Sequence, residues 1–276
     1  MEYPTFTDAR RALDAGETSC EALVSSFLER IDARDDEINA FTSVDQDGAL
    51  NHARYLDSQR ERGNPRPLAG LVLAVKDNIC IRGYPVSCGS KMLADFSSLY
   101  DATVIDRLRD AGAIFIGKTN CDEFAMGSSN ETSHFGPVRN PHAPEYVPGG
   151  SSGGSVRQPA AFCGTVGLKP TYGRVSRSGL VAFASSLDVI GPLTRSAEDA
   201  ATILNVIAGE DERDSTSAPV DVPDYTEGLG DGVEGLRLGL PEEYFAEGLD
   251  DDIRRMVTEQ VDRLDDAGAT VEEVSL

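Results

Sequence analysis

Residues 1–67 carry apolar positions at helical spacing. A capping-box pattern of Thr18 with Glu21 predicts a helix that begins there, and residues 49–62 predict a second helix. No residue type in this stretch points to chemistry. We therefore expect an N-terminal helical segment whose role is packing.

From residue 68 onward, short apolar runs alternate with amphipathic stretches, which is typical of an α/β domain. The predicted strands cover 71–75, 113–116, 236–240 and 270–276, and the predicted helices cover 101–111, 196–207 and 250–267. A stretch rich in Gly, Ser, Asn and Pro over 126–159 interrupts this alternation, and loops of that length inside a domain are usually functional. We predict one α/β domain over 68–276, giving a single structural domain overall.

Charge is the first unusual feature of the composition. The 276 residues include 47 acidic and 25 basic side chains, a net charge of −22, and only four of the bases are lysines. Such a surface repels itself at low salt and discourages non-specific contact with nucleic acid. Either the protein is adapted to molar salt or it presents an acidic surface to a basic partner. Because the acids are spread along the whole chain, we favour salt adaptation.

Several features place the chain among cytoplasmic proteins. No apolar run approaches the roughly 20 residues of a membrane-spanning helix, and the start of the chain does not have the pattern of a secretory signal. The five cysteines are scattered and show no C-x-x-C spacing, so we expect free thiols and neither a disulfide framework nor a metal site.

Two features are candidates for chemistry. Lys76 ends the predicted strand 71–75, where partial desolvation lowers the pKa of an amine and makes it a base, although such a lysine also simply extends to water. The Gly/Ser-rich run 148–159 offers serine nucleophiles and converging backbone N–H groups, but it also resembles a flexible linker. It matches neither a phosphate-binding P-loop nor the G-x-S-x-G turn of hydrolases. With three histidines and no Ser-His-Asp pattern, serine plus lysine is the nucleophile system that the sequence offers.

Four stretches between residues 68 and 195 carry a family resemblance. They are LAGLVLAVKDNI, GKTNCDEFAMGSSNETSHFGPVRNP, VPGGSSGGS and GGSVRQPAAFCGTVGLKPTYGRVSRSGLVAFASSLDVIGPLTRS. Together they resemble the amidase signature family and, within it, the branch of tRNA-dependent amidotransferase A subunits. The resemblance implies an α/β fold with a mixed, mostly parallel sheet and helices on both faces.

The resemblance also implies a Ser-cisSer-Lys triad. By context, Lys76 matches the base, Ser151 the serine held by a cis peptide, and Ser155 the nucleophile that attacks the side-chain amide of glutamine. The resemblance assigns an oxyanion and substrate loop to the residues Ser152, Gly153, Gly154, Gly127, Ser128 and Ser129.

The implied reaction supplies ammonia for converting Glu-tRNA(Gln) to Gln-tRNA(Gln), or Asp-tRNA(Asn) to Asn-tRNA(Asn). In the family, a B subunit uses ATP and Mg²⁺ and contacts the misacylated tRNA, and a small C subunit completes the complex. No cofactor is expected on the glutaminase component itself.

Two departures from the family pattern change this expectation. Family members have about twenty more residues between the two serines, including a core strand, whereas Ser151 and Ser155 are four apart here. Four residues reach at most ~14 Å, so contact between the serines is allowed, but their joint orientation toward Lys76 is difficult. The family also continues well beyond Leu276.

We therefore expect an incomplete copy with a gap in its sheet and little or no glutaminase activity. A stand-alone amidase and an inactive pseudoenzyme that only binds partners remain the alternatives.

Overall fold

The structure, a computed structural model, describes residues 3–150 and 155–276. By internal contacts the chain forms two compact units, Met1–Tyr225 and Thr226–Leu276. The first unit contains every candidate catalytic residue.

Helices and strands alternate through most of the described chain. The helices are α1 (Phe6–Ala15), α2 (Cys20–Ile38), α3 (Gln46–Glu61), α4 (Thr103–Asp110), α5 (Arg157–Phe162), α6 (Ala197–Ile207) and α7 (Asp251–Asp266). The strands are β1 (Phe41–Val44), β2 (Val72–Lys76), β3 (Ile114–Thr119), β4 (Val166–Gly167), β5 (Leu193–Thr194), β6 (Arg237–Pro241) and β7 (Thr270–Val274).

The main sheet of the first unit has the order β1-β3-β2. β3 pairs in parallel with β2 and antiparallel with β1, so the sheet is mixed. β4 and β5 form a separate antiparallel pair. Successive residues of β3 point to opposite faces, and Ile114, Phe115 and Ile116 are all buried, which shows that both faces of the sheet are covered.

Helices cover both faces of this sheet. Ile114 and Ile116 pack into a core with residues of α1, α2 and α3, whereas Phe115 packs into a second core with residues of α4 and α6. This layered arrangement confirms the predicted α/β fold class.

The N-terminal segment differs from the prediction in two ways. Ser19, not Thr18, caps α2, since its side chain accepts from Ala22 N at 3.0 Å. The segment also contributes β1, whose sequence Phe-Thr-Ser-Val is too short to show a period, and β1 pairs with β3. Residues 1–67 are therefore joined to the sheet of the first unit, and by internal contacts the chain divides after Tyr225.

The second unit is a strand–helix–strand element. β6 and β7 are parallel neighbours, and α7 forms the connection between them. The Asp250 carboxylate caps α7 by accepting from Asp252 N at 2.9 Å, with Asp251 and Asp252 in the first turn, as the helix dipole favours.

Candidate active site

Lys76 and Ser155 meet at the carboxyl end of β2. Lys76 is the last residue of the strand, in register with Thr119 at the end of β3. Its Nζ donates a hydrogen bond to Ser155 Oγ at 3.2 Å. Both side chains are half-buried. The structure thus brings together two of the three residues assigned to the triad.

The other predicted members of the loop before Ser155 are not described. Ser151, Ser152, Gly153 and Gly154 lie outside the described residues. The resemblance implied that Lys76 acts on Ser151, which then acts on Ser155. In the structure Lys76 contacts Ser155 directly, so a lysine–serine pair is present among the described residues.

Burial changes the protonation of the lysine. The pKa of Lys76 lies below its ordinary value because the surrounding protein removes water from the charged amine. Negative charge on Cys121 or on the carboxylates of Asp122 and Asp188 acts in the opposite direction. Since burial dominates, the neutral amine is more populated near neutral pH than in an exposed lysine, and a neutral amine accepts a proton from a serine hydroxyl.

Asp122 holds the loop that follows β3. Its buried carboxylate accepts from Asn130 N at 3.0 Å and from Thr132 Oγ1 at 3.0 Å. A Cβ on Gly127 would collide with this carboxylate, so the loop needs glycine there. With its amide turned to the orientation that satisfies both of its ends, Gln158 donates to the carbonyl of Ser128 at 3.2 Å, which joins this loop to α5.

Gly127, Ser128 and Ser129 were assigned to an oxyanion and substrate loop. Gly127 is half-buried against Asp122, Ser128 is exposed and Ser129 is half-buried. None of the three lines the cavity beside Lys76, whose wall here is formed by Ala125 and Asn130. A role for these residues stays a prediction.

Backbone strain is concentrated around the lysine. Cys88, Phe124, Ala125 and Asn130 all have positive φ angles between 50° and 62°. Such conformations cost of order 1–3 kcal/mol each in non-glycine residues and persist where the surrounding structure fixes them. Phe124 N donates to Cys88 O at 2.8 Å, so two of the strained residues hold each other.

A cavity of about 540 Å³ opens beside the lysine–serine pair. Its residues come from all of β2, from α4 and α6, and from the segments around Gly149 and Val189. The lining is mostly apolar, with Lys76, Asp122, Lys169 and Asp188 as its charged members. A cavity of this size matches the range of small-molecule sites.

A second buried lysine lies on the opposite face of β2 and β3. Lys118 is fully buried, its Nζ donates to Ile79 O, and the nearby Asp77 carboxylate accepts from the Ser87 hydroxyl. Burial lowers the pKa of Lys118 to about 8 and raises the pKa of Asp77. Asp77 directly follows Lys76, so this buried pair anchors the backbone that presents the lysine.

The described residues offer no obvious place for a metal ion. Between 3–150 and 155–276, no three or more His, Cys, Asp and Glu side chains are grouped so as to hold one. All five cysteines are free, as predicted. No described helix has the length and apolar character needed to cross a membrane.

Asp122 and Asp188 were not among the predicted site residues. A signal for Asp122 was present, since it follows β3 and the carboxyl ends of adjacent parallel strands meet at one edge of a sheet. Asp188 comes from a segment far along the chain, where its carboxylate accepts from Phe183 N at 2.9 Å. No local pattern connects it to β2.

Comparison with known proteins identifies the family of the chain. The family model described as Amidase matches residues 22–155 and 153–276. The A subunit of the Salinibacter ruber glutamyl-tRNA(Gln) amidotransferase is 93% identical over 296 residues, covering 100% of this chain and 58% of the relative.

Solved structures agree in fold. The A subunit of the Thermotoga maritima glutamyl-tRNA(Gln) amidotransferase superposes with a TM-score of 0.82 at 39% identity, covering 93% of this chain and 58% of its own. The peptide amidase of Stenotrophomonas maltophilia gives 0.90 at 33% identity, covering 99% and 62%. This chain therefore spans less than two thirds of the length of these proteins.

The comparisons also confirm the internal gap. The alignment with the Salinibacter relative covers 296 positions although this chain has 276 residues, so 20 positions of the relative have no counterpart. The two family-model matches overlap at residues 153–155, where the Gly-Gly-Ser sequence fits both sides of the gap. With the family model matched along most of its length and a lysine–serine pair at the end of β2, the chain belongs to the amidase family.

Proposed function

We propose that this chain is a glutaminase component of the amidotransferase A type whose activity is strongly reduced. The observation that carries the proposal is the 3.2 Å hydrogen bond between Lys76 Nζ and Ser155 Oγ at the rim of the cavity. The Salinibacter and Thermotoga relatives both bear the name of the glutamyl-tRNA(Gln) amidotransferase A component. This favours glutamine over the substrates of stand-alone amidases.

The chemistry begins with the neutral amine of Lys76. It accepts the proton of the Ser155 hydroxyl, and the resulting oxygen attacks the side-chain carbonyl carbon of glutamine. The carbon–nitrogen bond breaks, the amide nitrogen leaves as ammonia after taking up a proton, and water then hydrolyses the ester on Ser155. The lowered pKa of Lys76 supports the first step.

The reduced activity follows from the 20 missing positions. In the family, these residues separate the two serines and supply the turn that orients them. This chain lacks them, and Ser151 and Ser155 are only four positions apart. Donors aimed at the developing oxyanion are worth about 10²–10³ in rate each, and the loop that would supply them is shortened. We expect loss of orientation to reduce glutamine hydrolysis far more than glutamine binding.

The remaining elements of the proposal come from the family resemblance. The B and C subunits are the partners, ATP and Mg²⁺ are used by the B subunit, and the misacylated tRNA is reached through the complex. The acidic composition, with a net charge of −22, fits a cytoplasmic protein that works in concentrated salt.

Ammonia release from glutamine tests the proposal. We would compare this chain with the Salinibacter relative in molar KCl, together with Lys76→Ala and the matched control Lys91→Ala on the exposed surface. We expect the chain to release ammonia at less than about one hundredth of the relative's rate, because the loss of even one oxyanion donor lowers a rate by about that factor. A rate close to that of the relative, abolished by Lys76→Ala and kept by Lys91→Ala, would show that the shortened loop assembles a full site.

A further inference from the structure

Three described carboxamide side chains line the cavity beside the catalytic lysine, those of Asn78, Asn120 and Asn130. Asn120 donates two hydrogen bonds and accepts two within the protein. The oxygen of Asn130 accepts from Val138 N at 3.0 Å. The oxygen of Asn78, by contrast, has no hydrogen-bond partner among the described residues. Asn78 is therefore a carboxamide of this wall whose acceptor the protein itself does not use.

Burial makes the unpartnered oxygen costly. Asn78 is 6% exposed, so its oxygen has given up contact with water without gaining a protein donor. Such a group lowers the stability of the folded chain, because its lost hydrogen bonds are not replaced. Buried polar groups are partnered in the great majority of cases, and the exceptions include groups kept for a role in catalysis. An unpaired carboxamide at the wall of a cavity points to a ligand that completes it.

The turn after β2 presents Asn78 and the lysine to the same cavity. Ile79 N donates to Lys76 O at 3.0 Å, so Asp77 and Asn78 are the two central residues of a tight turn. The carbonyl of Asn78 accepts from Val181 N at 2.8 Å, which fixes the backbone of the turn. Lys76 and Asn78 both line the cavity, whereas Asp77 between them is fully buried.

We propose that Asn78 is a substrate-binding residue that pairs with the scissile carboxamide and makes the site selective for primary amides. A carboxamide has an acceptor oxygen and an NH₂ donor, so two carboxamides can each donate to the other. An ester offers acceptors only, which leaves the oxygen of Asn78 without a partner. This inference rests on the proposed amide hydrolysis and names the substrate group that Asn78 recognises.

The side chain can turn its oxygen toward the substrate. No described residue donates to that oxygen, so rotation about the Cβ–Cγ bond breaks no hydrogen bond to it. This torsion has broad minima in asparagine, unlike the staggered torsions of aliphatic side chains. The substrate NH₂ group would then donate to the Asn78 oxygen close to Lys76 and Ser155, which are joined at 3.2 Å.

Replacing Asn78 by leucine separates a binding role from a structural one, because leucine keeps the shape and removes the polar atoms. We expect Asn78→Leu to keep the Tm within about 2 °C or to raise it, since no hydrogen bond to its oxygen is lost. The matched control Asn120→Leu breaks four hydrogen bonds and should lower the Tm by at least about 4 °C.

Calorimetric titration in molar KCl compares glutamine with γ-methyl glutamate, an ester of similar size without the NH₂ group. Ser155→Ala is the background for all titrations, so that neither ligand is consumed. We expect this background to bind glutamine at least about tenfold more tightly than the ester, and added Asn78→Leu to abolish the preference by weakening glutamine binding. Added Asn64→Leu should keep the preference, because Asn64 is exposed and does not line the cavity.

Three results would overturn the inference. Asn78→Leu lowers the Tm as much as Asn120→Leu, or the background binds the two ligands equally well or not at all, or Asn78→Leu keeps the full preference for glutamine. Ammonia release tests the proposed function separately. A chain that releases no ammonia but shows the Asn78-dependent preference would contradict the hydrolysis and support the binding role of Asn78.

Discussion

Replacing Asp122 by asparagine tests whether one carboxylate holds the loop beside the catalytic lysine. Asp122 is 1% exposed and receives the backbone N–H of Asn130 at 3.0 Å. It also receives the N–H and the hydroxyl of Thr132 on its other oxygen. Asparagine has nearly the same shape, but it has one acceptor oxygen where the carboxylate has two, so its NH₂ group must face the N–H of either Asn130 or Thr132, donor against donor.

The cost follows from which donors water can reach. Thr132 is exposed, so water can replace the carboxylate there, whereas Asn130 is 4% exposed. If the amide oxygen stays on Asn130, the cost is at the low end of the range; if it stays on Thr132, the buried Asn130 N–H loses its partner. A buried donor without a partner costs about 1–3 kcal/mol, which lowers the Tm of a domain of this size by about 2–12 °C. Asp122→Ala should cost at least as much, because it also leaves a void.

Thermal unfolding followed by far-UV circular dichroism measures the effect, since the chain contains no tryptophan for fluorescence. Asp95→Asn is the matched control, as Asp95 is exposed and its substitution should stay within about 0.5 kcal/mol. If Asp122→Asn unfolds at the same temperature as Asp95→Asn, the carboxylate does not hold the loop. Faster hydrogen exchange over 126–132 in Asp122→Asn alone would show where the loss of stability is located.

Three further predictions concern charge and thiols. Lys118 should titrate near pH 8 in a ¹³Cε NMR titration of the four lysines. Its contribution to the free energy of unfolding therefore grows as pH rises from about 8 to the pKa of about 10.4 that lysine has in the unfolded chain. Titration of all four lysines above pH 10 would contradict the burial of Lys118. The Tm should rise with KCl up to about 1 M, where the Debye length falls to about 3 Å; a falling Tm would mean that self-repulsion does not limit stability. Iodoacetamide at pH 8 should modify Cys163 first and should spare Cys20 until guanidinium unfolds the chain, because burial raises the pKa of Cys20 to about 12. Equal modification rates by mass spectrometry would refute the buried position of Cys20.

Elements with a clear apolar run or a capped amphipathic pattern were predictable from the sequence, and short elements without either were not. The strand ending at Lys76 and the helix capped by Ser196 lie within one or two residues of their predicted bounds, since local pattern and tertiary burial agree there. β1 and α5 have four and six residues, too few for a period to show. Their conformation is set by neighbours that are distant in sequence.

The candidate site was predictable only in part for the same reason. Lys76 could be chosen because it ends an apolar strand, and Ser155 because of the family resemblance. Asp188 lines the same cavity as Lys76, although the two residues are more than 100 positions apart in the sequence. No local spacing in the sequence predicts that they lie close together. The direct Lys76–Ser155 contact also differs from the order that the family resemblance implies, in which Ser151 acts between the two.

The distribution of lysines has a practical consequence for handling the protein. Lys118 is enclosed in the core, Lys76 and Lys169 are half-buried, and Lys91 is exposed. A bulky amine-directed reagent therefore meets Lys91 as the one fully exposed lysine, whereas the surrounding protein shields Lys76, Lys118 and Lys169 to differing degrees. Lys91 is a ready-made point for attaching a dye, a biotin or a surface linker, with no engineered cysteine needed. For the same reason, limited digestion with a lysine-specific protease should cleave first after Lys91. Later cleavage after the buried Lys118 would then indicate that the core has unfolded.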